Sequence, residues 1–136
     1  MRTPDEVRRA LVRRWLDRAA EDLGAAERLL SGGAAFPAAA GFHAQQAAEK
    51  YLKAFLTRRQ VEFPKTHDLA ALLDLVARVA PALAGSLPAI TALTPYGVES
   101  RYPGDFPVPT AAEARQAVTL AEQVRVNILA ALQEPE

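Results

Sequence analysis

The stretch FHAQQAAEKYLKAFL, residues 42 to 56, carries the strongest structural signal in the sequence. When it is turned by about 100° per residue, small and apolar side chains cover a broad arc that includes Ala44, Ala48 and Leu52. Gln45 falls inside this arc, and a buried amide without a hydrogen bond costs about 1–3 kcal/mol. We therefore predict a buried helix in which the amide of Gln45 is hydrogen-bonded.

The apolar arc of this helix is wider than the stripe of roughly 100° that a surface helix turns toward a core. A helix covered on several sides is central either in its own bundle or in a symmetric dimer. Because a small bundle offers little cover to a central helix, the sequence favours a homodimer, and burial within a single chain is the alternative. The dimer-interface residues expected on this helix are Gln45, Ala48, Leu52 and Phe55.

A polar stripe follows the opposite side of the same helix and contains Gln46, Glu49, Lys50 and Lys53. Glu49 and Lys53 have the four-residue spacing of a helical ion pair. The stripe is either solvated or used to bind an anion. The second interpretation gains support because all three lysines of the chain lie between positions 50 and 65, and a local positive patch suits phosphate.

Hydrophobic spacing predicts helices over almost the whole chain and no strand of period two. The predicted helices cover about 5–31, 37–60, 67–80, 87–93 and 110–132. Pro64 is expected to break the second helix, Thr66 to cap the third, and Thr110 with Glu113 to form a capping box at the last. The prediction is one all-α domain over 1–136, an up-and-down bundle of four to five helices with a proline-rich loop before the last helix.

Composition excludes several classes of protein. The chain has no cysteine, which excludes disulfides and thiol catalysis, and its two histidines make a metal site unexpected. The 16 basic and 16 acidic residues cancel, so an anion-binding site must be a local patch. No glycine-rich phosphate loop is present and no cofactor is expected. No apolar run could span a bilayer, and charges occupy the first residues, so a cytoplasmic protein without a membrane partner is expected.

Three short segments resemble the motifs of a known family in their order and spacing. They are QQAAEKYLKA at 45–54, THDL at 66–69 and RYP at 101–103. With Tyr96, they resemble the HEPN domain (higher eukaryotes and prokaryotes nucleotide-binding) in its small stand-alone prokaryotic form. The resemblance covers most of the chain, from about Trp15 through the last helix.

The resemblance implies an all-α bundle that usually dimerises. It also implies a protein that binds nucleotide or RNA phosphate and partners a minimal nucleotidyltransferase in a two-gene module similar to a toxin–antitoxin pair. Many HEPN proteins resemble metal-independent RNases, in which an arginine is followed a few residues later by a histidine. No histidine follows Arg101, and His67 lies in the wrong element relative to Arg59. A binding role is therefore favoured, and whether the protein is an enzyme stays open.

The candidate phosphate-binding residues are Gln46, Lys50, Lys53, Lys65, Arg101 and Tyr102. An arginine fork can hold a phosphate through two parallel hydrogen bonds, and a tyrosine can stack on a base. Equally, Arg101 could bond to carbonyls of its loop and Tyr102 could pack under Pro103. The candidates for catalysis are His67, Arg101 and Tyr102, although His67 could instead hold its turn or pair with Asp68.

Three functions are therefore open. The favoured function is binding of nucleotide or RNA phosphate together with a nucleotidyltransferase partner. The first alternative is a metal-independent RNase toxin with a variant site. The second alternative is a non-catalytic dimeric scaffold, in which the same polar residues contact protein atoms only.

Overall fold

The computed structural model describes residues 1–31, 35–97 and 108–134. These residues form five α-helices and one 3-10 helix, which confirms the predicted all-α bundle. The helices are α1 (Pro4–Leu29), α2 (Pro37–Arg58), α3 (Leu69–Val79), α4 (Pro81–Gly85), the 3-10 helix (Pro88–Tyr96) and α5 (Ala111–Leu132). The predicted proline-rich loop before α5 lies largely in 98–107, outside the described residues.

Side-chain caps fix where three of the helices begin. The Thr3 hydroxyl accepts from the backbone N–H of Glu6 at the start of α1. Thr110 and Glu113 form the predicted capping box of α5. Thr66 does not cap α3, contrary to the prediction, because Asp68 takes that place and accepts from the backbone N–H groups that follow it. As a result His67 lies before the helix, on the connection between α2 and α3.

The end of α2 is set by backbone geometry rather than by Pro64. The N–H of Gln60 donates to Thr57 O and the N–H of Val61 donates to Leu56 O, which is the hydrogen-bond pair of a Schellman motif. Gln60 has a φ of 60°, in the left-handed region that favours glycine. The helix therefore stops before the proline-containing segment begins.

Helix α2 is the centre of the bundle. It packs mainly against α1 and α5, and α3 and the 3-10 helix cover it further. Gln45, Ala48, Leu52 and Phe55, which were expected at a dimer interface, are all buried within the single chain. The wide apolar arc is thus explained by the chain's own helices, and the inference that it required a partner is wrong. Dimerisation itself stays a prediction.

The 3-10 helix is fastened to α2 by a close approach at Gly41. A methyl group added at Gly41 would overlap the ring of Tyr96, so only glycine lets this ring lie against the α2 backbone. Burial raises the pKa of Tyr96, and the nearby Glu113 carboxylate adds to the shift. Among the described helices, none is both long and apolar enough to cross a membrane.

Candidate functional site

The carboxylate of Glu49 joins a histidine to a lysine. One oxygen, Oε1, lies 2.9 Å from Nδ1 of His67. The other, Oε2, accepts from Nζ of Lys53 at 3.0 Å. Because a carboxylate only accepts, the hydrogen of the His67 ring is on Nδ1, and Nε2 is left for another partner.

The carboxylate of Asp22, on α1, makes a second bridge of the same kind between a histidine and a lysine of α2. Its Oδ1 lies 2.9 Å from Nδ1 of His43. Its Oδ2 accepts from Nζ of Lys50. Asp22 comes from α1, whereas His43 and Lys50 lie two turns apart on α2, so the bridge also ties the two helices together. Both histidines and two of the three lysines of the chain are therefore held by carboxylates on one side of the molecule.

The two glutamines extend the cluster around Glu49. Gln45 Nε2 donates to the carbonyl oxygen of His67 at 3.2 Å and more weakly to Glu49 Oε1 at 3.4 Å. Gln45 Oε1 accepts from Gln46 Nε2 at 2.7 Å. The predicted burial and hydrogen bonding of Gln45 are confirmed. We call the whole set the α2 polar face: Asp22, His43, Gln45, Gln46, Glu49, Lys50, Lys53 and His67.

The inner part of the α2 polar face is buried, so the solvated interpretation of the stripe is wrong for Glu49 and Lys53. Glu49 is 2% exposed and Lys53 is 6% exposed. The Lys53 ammonium lies 5.4 Å from the ring centroid of Trp15 and 5.8 Å from that of Phe63. These two rings meet edge to face at 6.2 Å. The predicted Glu49–Lys53 pair is confirmed, but it is a buried pair, supported by two aromatic rings.

The predicted site residues Lys50, Lys65 and His67 are more exposed to solvent than Lys53. Lys50 is one-fifth exposed and Lys65 is exposed on the connection between α2 and α3. The side chain of His67 is half exposed, and its partner is Glu49. Pairing with Asp68 was one of the alternatives left open for this residue. Arg101 and Tyr102 lie outside the described residues, so their roles stay predictions.

The arrangement allows two kinds of chemistry. The two carboxylates neutralise Lys50 and Lys53, so positive charge at the face depends on protonation of the imidazoles and on the exposed Lys65 of the α2–α3 connection. A ring held at Nδ1 by a carboxylate can donate from Nε2 to an anion when protonated, or accept a proton there when neutral. Within the described part of the chain, no group of three or more carboxylate and imidazole side chains is placed to hold a metal ion.

Sequence reasoning assigned no role in the site to four contributors, namely Asp22, His43, Trp15 and Phe63. Asp22 lies seven residues after Trp15, so both occupy one flank of α1, beside its apolar stripe. Asp22 is an acidic residue at the edge of the apolar stripe of α1, and α2 carries lysines. This combination could have indicated an ion pair between the two helices. The contact of Phe63 with Trp15 depends on the path of the α2–α3 connection, which periodicity does not reveal.

The fold and this face define the class of the protein: a small helical domain with two carboxylate-bridged polar clusters along its central helix. The family model for the HEPN domain matches residues 12–128, and the chain belongs to this family. Membership supports a nucleotide- or RNA-related function at the level of the family. No curated protein and no solved structure matches the chain.

Proposed function

We propose that the protein binds the phosphate of a nucleotide or of RNA at the α2 polar face. The observation that carries the proposal is the repeated carboxylate bridge, which holds each histidine by Nδ1 and leaves Nε2 without a protein partner among the described residues. A fixed ring loses little freedom when it binds, so its hydrogen bond to a ligand costs less entropy.

The groups around the two histidines fit a phosphate. Gln46 and Lys50 lie on α2 between them, and the exposed Lys65 is two residues from His67. Arg18 is exposed on α1, three residues after Trp15 and four before Asp22, and it therefore lies on the same flank of the helix. Ammonium, guanidinium and imidazolium groups all make charge-assisted hydrogen bonds to phosphate oxygens.

The aromatic pair beside Lys53 favours a nucleotide over a free phosphate ion. Trp15 and Phe63 are both partly exposed, and a base can stack on such rings for about 1–3 kcal/mol. In this arrangement Lys53 acts indirectly, because its ammonium is buried against Glu49 and holds that carboxylate in place. Of the lysines expected to bind phosphate, Lys50 and Lys65 are the ones we assign to direct contact.

Two variants, each of which removes one charge, test the site. Lys50→Ala should weaken binding of a nucleotide monophosphate or a short single-stranded RNA by about tenfold, since it removes one charge-assisted contact. Asp22→Asn should strengthen binding several-fold, because it removes the negative charge that neutralises Lys50 while its amide oxygen can still accept from Nδ1 of His43. Isothermal titration or fluorescence anisotropy at low salt measures both changes. Arg115→Ala, which removes an exposed cation on α5, is the matched control and should have no effect.

The opposite responses of Lys50→Ala and Asp22→Asn are the decisive part of this experiment. If both variants bind as the unmodified protein does, the anion is held elsewhere and the assignment of the face is wrong. If no nucleotide or RNA binds at low salt, the scaffold function is favoured instead. Gln45, whose amide contacts only protein groups, is consistent with that outcome.

The same bridges favour an RNase with a variant site as the second candidate function. Each imidazole is oriented by a carboxylate, which is how many enzymes fix the tautomer of an acid–base histidine. This candidate predicts that the purified protein cleaves RNA in the presence of a chelator, and that His67→Ala and His43→Ala each abolish most of the cleavage. Absence of cleavage at high protein concentration rejects it.

A minimal nucleotidyltransferase is the proposed protein partner, and this part of the proposal depends on family membership alone. Co-expression of the chain with a nucleotidyltransferase encoded beside it should yield a complex that co-purifies. Relief of any growth defect by the nucleotidyltransferase would support a toxin–antitoxin role. Separate elution of the two proteins would count against the partnership.

A further inference from the structure

A cavity lies between the first turns of α1 and the end of α2. It has a volume of about 520 Å³, which is within the usual range of small-ligand sites. Val7 and Leu11 line it from α1, and Thr57, Gln60 and Val61 line it from the last turn of α2 and the residues that follow. Val7 is 45% exposed and Leu11 is 41% exposed, so the apolar wall of the cavity is accessible to a ligand.

The cavity adjoins the pair of aromatic rings beside the α2 polar face. On one wall, Leu11 precedes Trp15 by four residues on α1, so their side chains are neighbours on the helix surface. On the other wall, Val61 and Glu62 directly precede Phe63 in the chain. The ring centroids of Trp15 and Phe63 are 6.2 Å apart. A base stacked on these rings would therefore have the cavity next to it.

Gln60 has a backbone conformation that the fold alone does not favour for a glutamine. Its φ of 60° lies in the left-handed region, at the position where the Schellman motif of α2 favours glycine. Within residues 1–31, 35–97 and 108–134, the side-chain amide of Gln60 has no hydrogen-bond partner. Strained residues of this kind are concentrated at ligand sites. A glutamine retained here, on the wall of a cavity, is therefore a residue to consider for ligand contact.

We propose, on the basis of the phosphate-binding function above, that the cavity binds the adenine base of a second nucleotide and that Gln60 determines this specificity. A glutamine amide forms two hydrogen bonds with adenine, at N6 and N7. Glu62 also lines the cavity. Its carboxylate accepts from the N6 amino group of adenine and repels the O4 carbonyl that uracil has in its place. Arg8 could bind guanine, but its guanidinium is paired with Asp5 at 3.1 Å.

The ligand of the site is then an oligonucleotide rather than a mononucleotide. One base cannot both stack on Trp15 and Phe63 and fill the cavity, so two successive bases are needed. Single-stranded RNA meets this requirement because its bases can be stacked on aromatic side chains and hydrogen-bonded along their edges. Arg2, which is exposed and lines the cavity, is the cation available to the phosphate between the two nucleotides.

Replacing Gln60 with glycine separates base recognition from folding. Gln60→Gly should weaken binding of hexa-adenylate RNA by about tenfold, because it removes one two-bond contact to a base. Binding of hexa-uridylate RNA and of adenosine monophosphate should stay within about twofold. The melting temperature should be equal or higher, because glycine suits the left-handed φ. Gln133→Gly, which removes an exposed glutamine at the end of α5, is the matched control and should change no affinity.

A substitution at Glu62 should change the preference from the other side. Glu62→Gln should strengthen binding of hexa-uridylate several-fold, because it removes the negative charge that repels the uracil carbonyl. Binding of hexa-adenylate should change little, since the new amide oxygen still accepts from the N6 amino group. Fluorescence anisotropy of labelled RNA at low salt, with adenosine monophosphate as a competitor, measures all of these affinities.

Lys50→Ala separates failure of the cavity from failure of the phosphate site. It should weaken binding of all three ligands by similar factors, because it removes a phosphate contact that they share. If it does so while Gln60→Gly binds hexa-adenylate as the unmodified protein does, the phosphate site stands and the assignment of the cavity is wrong. Equal affinity of the unmodified protein for hexa-adenylate and hexa-uridylate also overturns the assignment. If none of the three ligands binds, the phosphate site and the cavity are both rejected.

Discussion

Replacing Glu49 with glutamine removes the one negative charge of the buried part of the α2 polar face. The change keeps the shape of the side chain and an oxygen that can accept a hydrogen bond. Its effect is therefore concentrated on charge: Lys53, whose side chain is 8% exposed, loses its counter-ion. The bridge to His67 is weakened at the same time, although that side chain is half exposed and can turn to water.

The expected cost follows from this burial. Removing one partner of a buried ion pair costs about 3–5 kcal/mol. The lower end, about 3 kcal/mol, applies here because the amide oxygen still accepts a hydrogen bond and the ammonium lies near two aromatic rings. With an unfolding entropy of roughly 2.1 cal/mol/K per residue, this loss lowers the melting temperature by about 10 °C.

Urea unfolding followed by circular dichroism measures the loss, and two further variants identify its cause. Asp22→Asn breaks the equivalent bridge where the side chains are more exposed, so it should cost about 1 kcal/mol or less. Adding Lys53→Met to Glu49→Gln removes the stranded charge and should recover more than half of the stability. Equal costs for Glu49→Gln and Asp22→Asn, or no recovery in the double variant, would refute the assignment of a buried, coupled pair.

Three other predictions concern the frame around the site. Gly41→Ala should destabilise the fold by about 2 kcal/mol in urea titrations, because the new methyl group overlaps the Tyr96 ring; stability equal to that of the unmodified protein would contradict the close approach. Gln60→Gly should stabilise by up to about 1 kcal/mol, since the left-handed φ of this position suits glycine; a loss of stability would argue against the αL conformation. Because the folded-state pKa of Glu122 is raised by its hydrogen bond to Glu27, the stability that this group contributes is present at acid pH and is lost as pH rises through the raised pKa. Glu122→Gln should therefore gain stability relative to the unmodified protein as pH rises above the ordinary carboxyl range in melting experiments, and a difference that does not change with pH would contradict the raised pKa of Glu122.

Much of the fold could be predicted from local sequence patterns. The 3.6-residue spacing located α1, α2, α3 and α5, and the capping box of α5 is present where its residues predict it. The errors fall where two local signals compete. Thr66 and Asp68 are both good caps, and the structure uses the second because its carboxylate reaches two backbone N–H groups. The end of α2 depends on Gln60 adopting a conformation that its residue type does not favour.

The site was harder to predict because it depends on distance between helices. A helical wheel of α2 places Lys53 on a polar stripe, but it does not reveal that Trp15 and Phe63 close over that stripe. The same helical wheel led to the wrong inference that the apolar arc of α2 is too wide to be covered within one small bundle. The alanines of α2 explain why the arc fits: with small side chains facing them, α1 and α5 pack close enough to cover a central helix in a single chain.

These alanines also restrict how the protein can evolve. Ala44, Ala47, Ala48 and Ala54 have no exposed surface, and adding even one methylene to a well-packed core costs about 1–3 kcal/mol. Lineages that change ligand preference therefore have little freedom on α2 itself. Under the proposed function, changes of specificity fall to neighbours such as Arg18 and Lys65, whose exposed side chains can be exchanged without disturbing the interior, and homologues should diverge there first.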